Sequence, residues 1–223
     1  MTKRVRGAGA AVCAVAVAGA LLAGCGDDGG GGGKENSASP SAPSVAAPSA
    51  SGGESSGGSG QMTEDQRSRK ALVPEAKISY DKALKAATEA VADSEPVSVE
   101  LKRGAGGKPE WHAKVAASDG TESTVRVDAV TGKADKPQTK NEDGDDKKEL
   151  ADRLGRASVT AQQAADTATG KKSGTVTAVE LDTNDQKKEI WSVDVVTTND
   201  WNKTTYDVDA TDRKVLREHV DRD

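Results

Sequence analysis

The sequence predicts an α+β protein of two tandem small domains, each a helix packed on an antiparallel β-meander of three to four strands, preceded by a disordered tether. Three observations carry this prediction. First, one stretch appears twice. Its first copy opens Ile78-Ser79-Tyr80-Asp81-Lys82-Ala83 and closes Val127-Asp128-Ala129-Val130-Thr131-Gly132-Lys133, and its second opens Val159-Thr160-Ala161-Gln162-Gln163-Ala164 and closes Val208-Asp209-Ala210-Thr211-Asp212-Arg213-Lys214. The two ends are offset by 81 residues, whereas Val99, Trp111 and Val115 answer to Val179, Trp191 and Val195 at an offset of 80, so one residue slips in a loop. Second, each copy begins with apolar residues at helical spacing. Third, each continues in runs that alternate apolar and polar residues, the period of a half-buried strand. The segments expected are 1–24, 25–68, 69–137, 138–147 and 148–223: signal peptide, tether, first domain, charged linker and second domain.

The N-terminus reads as an address. Lys3, Arg4 and Arg6 precede an apolar run from Ala8 to Ala23, and small residues follow. Leu22-Ala23-Gly24-Cys25 resembles the bacterial lipobox, in which the cysteine thiol receives a diacylglyceryl group and the bond before it is cut. Two acyl chains, at about 0.8 kcal/mol per buried methylene, hold a domain firmly to a membrane. A transmembrane helix or an ordinary secreted chain are the alternatives, but the run falls short of the roughly 20 apolar residues a span needs. The expected location is the outer face of the bacterial cell membrane, with Cys25 carrying the lipid. Cys13 lies in the segment to be removed, so the folded part has no thiol for a disulfide.

From Gly26 to Gly60, 28 of 35 residues are Gly, Ser, Ala or Pro, which bury too little apolar surface to offset the entropy of ordering. Such a tether of about 44 residues would span roughly 35–40 Å. Glu64 to Leu72 follows as a short helix ended by Pro74. In the first copy Ser79 is placed to cap a helix whose stripe is Tyr80, Ala83, Leu84, Ala87 and Val91. In the second, Thr160 and Gln163 form a capping box, Ala161, Ala164, Ala165 and Ala168 form the stripe, and Gly170 is the expected stop.

The strands come next. Val97, Val99 and Leu101 are expected to share one face, as are Trp111, Ala113, Val115 and Ala117, and then Val125, Val127 and Ala129. The second copy supplies Thr177, Val179 and Leu181, then Trp191, Val193 and Val195, then Tyr206, Val208 and Ala210. With no Phe and 2% aromatic residues, the core depends on Val, Ala, Leu and Trp. A unit of this size is marginal alone, which makes packing between copies important. Hairpin tips are expected at Gly104 to Lys108, at Asp119-Gly120 and at Thr198 to Asn202. Between the copies, Lys136 to Lys148 is polar, and a short helix is expected from Lys148 to Arg156. Asn141 to Asp146 has the look of a calcium loop, but Asp146 stands where that loop needs Gly and Asp152 replaces its bidentate Glu, so the run reads as solvated linker.

The order of helix, alternating strands and a Val-Asp-Ala-x-Thr-Gly-Lys close resembles the PepSY domain over about Ile78 to Lys136 and Val159 to Glu218. The first copy fits through Val127, Asp128, Ala129, Thr131, Gly132 and Lys133. The second places Asp212 and Arg213 where the family has Thr-Gly, so its turn has no glycine for a positive φ. The resemblance implies an extracytoplasmic module of the kind found in propeptides of secreted metallopeptidases and in cell-envelope proteins, associated with restraining peptidases.

Function classes narrow accordingly. The formal charge is −5, or −8 without the three N-terminal cations, which argues against nucleic acid as a partner. His112 and His219 lie in different copies and no cysteine is near them, so no metal set, nucleophilic triad or cofactor site can be assembled. Asp128 and Asp209 are expected to bond their own turns, and Trp111 and Trp191 to pack in the core. The Gly104 to Lys108 run lacks the hydroxyl residue that a phosphate loop uses. Trp201, among Asn199, Asp200, Asn202 and Lys203, is the candidate partner contact, with packing on the neighbouring copy as its structural alternative. The expectation is a noncatalytic binding protein acting on a secreted peptidase or cell-wall hydrolase. An extracytoplasmic sensor or ligand- or cation-binding module is the alternative.

Overall fold

In a computed structural model the described residues are 61–221. The signal peptide, the lipobox with Cys25 and nearly all of the tether lie outside them. The element order is α1 (Glu64–Leu72), a 3-10 turn (Val73–Glu75), α2 (Tyr80–Ala90), β1 (Ser94–Arg103), β2 (Pro109–Ala117), β3 (Glu122–Asp128), β4 (Gln138–Thr139), α3 (Gly144–Arg156), α4 (Ala161–Lys171), β5 (Thr175–Thr183), β6 (Glu189–Val196), β7 (Lys203–Asp209) and β8 (Val215–Asp221). The eight strands form one antiparallel sheet ordered β4-β3-β2-β1-β5-β6-β7-β8. Each copy is therefore a meander, and the two meanders meet edge to edge at β1 and β5.

That seam has a local twofold relation. Val99 pairs with Val179, its own counterpart, flanked by Ser98 with Glu180 and Glu100 with Ala178. Such self-pairing is the mark of an isologous contact. Both edge strands that would otherwise stay open are closed, and Val99 and Val179 are fully buried.

α2 and α4 lie on one face of the sheet. Ala83, Leu84 and Ala87 of α2 and all four stripe alanines of α4 are buried against Val99, Leu101, Val125, Val127 and their counterparts. Thr160 and Gln163 form the expected reciprocal capping box. Ser79 makes no side-chain cap, and α4 continues through Gly170 to Lys171. No neighbouring side chain or backbone crowds Gly170, so nothing there demands that the helix end. The starts of β1 and β5 also differ from simple alternation. A bulge lies between Pro96 and Ser98, and its equivalent between Val176 and Ala178. It turns Val97 away from the main core into a small cluster with Ala116 and Leu150, and it buries Val176 where alternation points to Thr177.

The repeated close fastens each helix to the sheet. In the first copy the Ala129 carbonyl accepts from the Lys77 and Ile78 amides at 2.7 and 2.8 Å, and the Trp111 indole Nε1 donates to the Ile78 carbonyl at 2.8 Å. In the second, Ala210 accepts from Ser158 and Val159 at 2.8 Å each, and Trp191 Nε1 donates to the Val159 carbonyl at 2.7 Å. The turn after each close has one geometry: Gly132 sits at φ 76° and Arg213, its counterpart, at φ 65°. Arg213 holds this unfavourable backbone while its guanidinium donates to the Thr167 hydroxyl and the Gln163 carbonyl on α4.

The leading helices exchange partners. α3 starts in the segment expected to be linker, where β4 also pairs briefly with β3. α3 belongs by sequence to the second copy but docks on the first, placing Leu150 on Val97 and Ala116 and its Lys147 backbone against Gly120. α1 begins inside the stretch assigned by composition to the tether, and it reaches from the first copy to the second. Gln66 Nε2 donates to Asn202 at 2.8 Å and Arg69 Nε donates to the Trp201 carbonyl at 2.8 Å. The helix expected over Glu64 to Leu72 is found with those bounds; its Thr63–Gln66 capping box is local, whereas its docking surface lies more than 130 residues away.

Candidate functional site

The β6–β7 connection, Thr197 to Asn202, is one residue longer than its counterpart, Ala117 to Thr121. The offset of 80 returns to 81 here, while the earlier change from 81 to 80 lies between the helix and the first strand of the repeat. The Thr197 amide donates to the Asn202 carbonyl at 3.1 Å and the Trp201 amide to the Thr197 carbonyl at 2.9 Å. Trp201 occupies the place of Gly120 in the other copy, and both have positive φ, 58° and 81°. A tryptophan in this region is strained by roughly 1–3 kcal/mol.

A compact polar network supports the turn. Asp200 accepts from the Thr197 hydroxyl, from the Asn202 amide at 3.1 Å and from Asn202 Nδ2 at 2.8 Å. Partial burial pushes the Asp200 carboxyl up, but the bonds from Thr197 and Asn202 outweigh it and hold the group below the ordinary carboxylate range. Around the turn, Lys203 lies 3.4 Å from Asp194 and 3.7 Å from Asp221, and Asp221 also meets Arg69 at 3.3 Å. The Trp201 ring is partly buried against the main core, and α1 crosses its carbonyl. Trp201 thus packs partly on the core while lying at a surface turn. This constellation is suited to recognition. It brings together a carboxylate, amides, ion pairs and an indole.

The other singled-out residues lie elsewhere. Trp111 and Trp191 are core residues at 1% and 3% exposure. His112 Nε2 lies 2.7 Å from a Glu110 carboxylate oxygen in the first copy, while His219 is on edge strand β8, far along the sheet order. Asp143 of the acidic run caps α3 through the Asp145 and Asp146 amides. Among the described residues no cluster of His, Cys, Asp or Glu is arranged to hold a metal ion, and no helix is long and apolar enough to cross a membrane.

Asp128 and Asp209 accept from their own turns, Asp128 from Val130 and Thr131 at 2.9 and 2.8 Å, and Asp209 from the Thr211 amide at 2.8 Å and from its hydroxyl at 2.5 Å. The backbone bonds from Thr131 and Val130 lower the Asp128 carboxyl, and the Thr211 hydroxyl lowers Asp209. A depressed folded value contributes stability that is present above the unfolded value near pH 4 and lost as pH falls through the folded value. Melting temperature is therefore expected to hold from pH 7 to 5 and to fall below about pH 4. Asp128→Asn and Asp209→Asn should flatten that acid limb, and an unchanged limb in both variants would assign it to other carboxylates. At the alkaline end, burial pushes the Tyr80 hydroxyl up to about 12, with Asp166 and Asp81 adding to it, so its contribution is lost as pH rises from about 10 towards 12.

The repeat geometry coincides with a family match. Residues 77–134 and 158–219 each match the family described as the peptidase propeptide and YPEB domain, PepSY, and together they make up more than half of the chain. The chain belongs to the PepSY family. Its Val-Asp-Ala closes, the paired Trp residues and both sheet-covering helices fall inside the matched segments, while α1 and α3 lie outside them. PepSY domains are extracytoplasmic modules of propeptide and regulatory type, generally noncatalytic. Among solved structures, a protein named as a candidate lipoprotein from Clostridium difficile 630 is 23% identical, with TM-score 0.42, covering 65% of this chain and 94% of its own. The YpmB protein from Bacillus subtilis is 18% identical, with TM-score 0.28, covering 63% and 96%. No curated protein matches the sequence.

What sequence reasoning missed at the site is the cover supplied by α1. One signal was available, since the offset of 81 sets Trp201 opposite Gly120 and marks the turn as one that demands positive φ.

Proposed function

We propose that the chain is a noncatalytic protein held by a lipid on Cys25 at the outer face of the bacterial cell membrane, where its PepSY pair binds and restrains a secreted peptidase or cell-wall hydrolase. The observation that carries this reading is the tandem match to a peptidase-propeptide family in a chain that opens with a lipobox. Leu22 opens the lipobox, Ala23 and Gly24 supply the small residues before the cut, and Cys25 the thiol that takes the lipid. The turn carrying Trp201 is the proposed partner contact, because an indole with amide and carboxylate neighbours is the chemistry of a protein-binding anchor.

Two measurements test the reading. Lipid label should enter the wild-type chain and the protein should sediment with membranes, and Cys25→Ser should abolish both. A labelled Cys25→Ser chain would remove the anchor. The purified PepSY pair added to envelope extracts should slow peptide or wall hydrolysis and retain the hydrolase responsible, and Trp201→Ala should weaken that retention. Undiminished hydrolysis with no enzyme retained would end the inhibitor reading.

A further inference from the structure

We propose that α1 is a releasable cover over the Trp201 turn. The two leading helices perform equivalent exchanges but are held by different forces. α3 is anchored by Leu150 at 9% exposure, by Leu154, by backbone contact at Gly120, and by the Arg156–Glu189 ion pair at its C-terminal end. α1 has nine residues and none of them is buried; its one apolar hold is its last residue, Leu72, partly buried against the core beside Val73 at the base of the arm. Its hold on the second copy includes Gln66 to Asn202, Arg69 to the Trp201 carbonyl and Arg69 to Asp221, made from one helical face by residues three apart.

A helix of this length is marginal in water by itself, so undocking and unwinding are one event. The opening has a defined limit. Val73, the residue after α1, is buried at 6% exposure and begins the 3-10 turn with Pro74, which keeps the arm fixed at its base. What lies beneath is preformed. The Asp200 network and the Thr197 backbone bonds are internal to the turn and involve no atom of α1. Release therefore uncovers an ordered Trp201 turn and does not melt it. The strained φ of Trp201 fits this arrangement, since it belongs to the turn that presents the Trp201 carbonyl to Arg69.

The occupant of the uncovered surface rests on the partner reading above, but the opening does not, so the test reads opening alone. Hydrogen exchange and hydroxyl-radical footprinting are compared on the full chain for the wild type, Arg69→Ala and Gln66→Ala. In the wild type, α1 amides should exchange faster than those of β6. Arg69→Ala should accelerate α1 exchange roughly tenfold or more, the weight of a lost charged hydrogen bond, and raise oxidation of Trp201. Trp111, Trp191 and the amides of α3 should be unaffected, and the Trp201 amide should stay protected. Three results would overturn the proposal: α1 exchanging as slowly as β6 in all three chains, α1 opening without greater oxidation of Trp201, or α3 and the sheet accelerating together with α1. Loss of hydrolase binding with normal opening would count against the partner reading alone.

Discussion

Replacing Gly120 by alanine is expected to lower stability by about 3–5 kcal/mol and to loosen α3 from the sheet. A methyl group there would stand 1.8 Å from the Lys147 carbonyl oxygen and 2.6 Å from its carbon. Those atoms are helix backbone, so no rotamer change relieves the clash; α3 itself must move. The same substitution also places a side chain on a residue at φ 81°. Displacing α3 would withdraw Leu150 from Val97 and Ala116, the small cluster that covers the opposite face of the first copy's sheet. Gly106 provides the control. It has φ 88°, but an added methyl group would meet nothing there, so Gly106→Ala should cost only about 1 kcal/mol. Urea titration of both variants separates the contact from the backbone strain. Equal losses would mean that the close approach of α3 is not what Gly120 provides.

The contrast between Gly120 and Trp201 shows where sequence legibility ends. Periodicity located the α2 and α4 stripes and most core strand positions, because each depends on neighbours within a single element. The roles of Asp128, Asp209, Trp111 and Trp191 were likewise legible, since turn chemistry and alternation are local. Illegible were relations between elements. A bulge at Pro96 redirects Val97, and no one-dimensional pattern announces it. β8 closes the second copy, whereas its counterpart in the first shrinks to Gln138–Thr139 and a single bridge from Ala134 to Val127. α1 and α3 look like lead-ins to their own copies, yet each completes the other one. That exchange follows from the twofold at Val99 and Val179, which brings the second hairpin of each meander towards the opposite leading helix. The family match stops at the repeats and so describes the scaffold; α1 and α3 lie outside it.

Truncating Trp191 to alanine is expected to cost about 4–6 kcal/mol, most of the stability of a small domain. The indole is 3% exposed, and its Nε1–H is the partner of the Val159 carbonyl just ahead of α4. Removing it creates a cavity worth about 3–5 kcal/mol and leaves a buried acceptor without its donor, at about 1–3 kcal/mol, with partial collapse limiting the sum. Trp191→Phe keeps most of the ring volume and loses the donor, so about 1–3 kcal/mol should be lost. The difference between the variants measures packing apart from hydrogen bonding. Trp111→Ala should behave similarly, because its Nε1 holds the Ile78 carbonyl before α2 in the same way. Continuous sheet and exchanged helices make unfolding of one copy expose Val99 or Val179 and strip a helix from the other. Both alanine variants should therefore shift one common denaturation transition, monitored by circular dichroism. Two separated transitions, with Trp111→Ala moving one and Trp191→Ala the other, would show the copies to be thermodynamically independent despite their shared sheet.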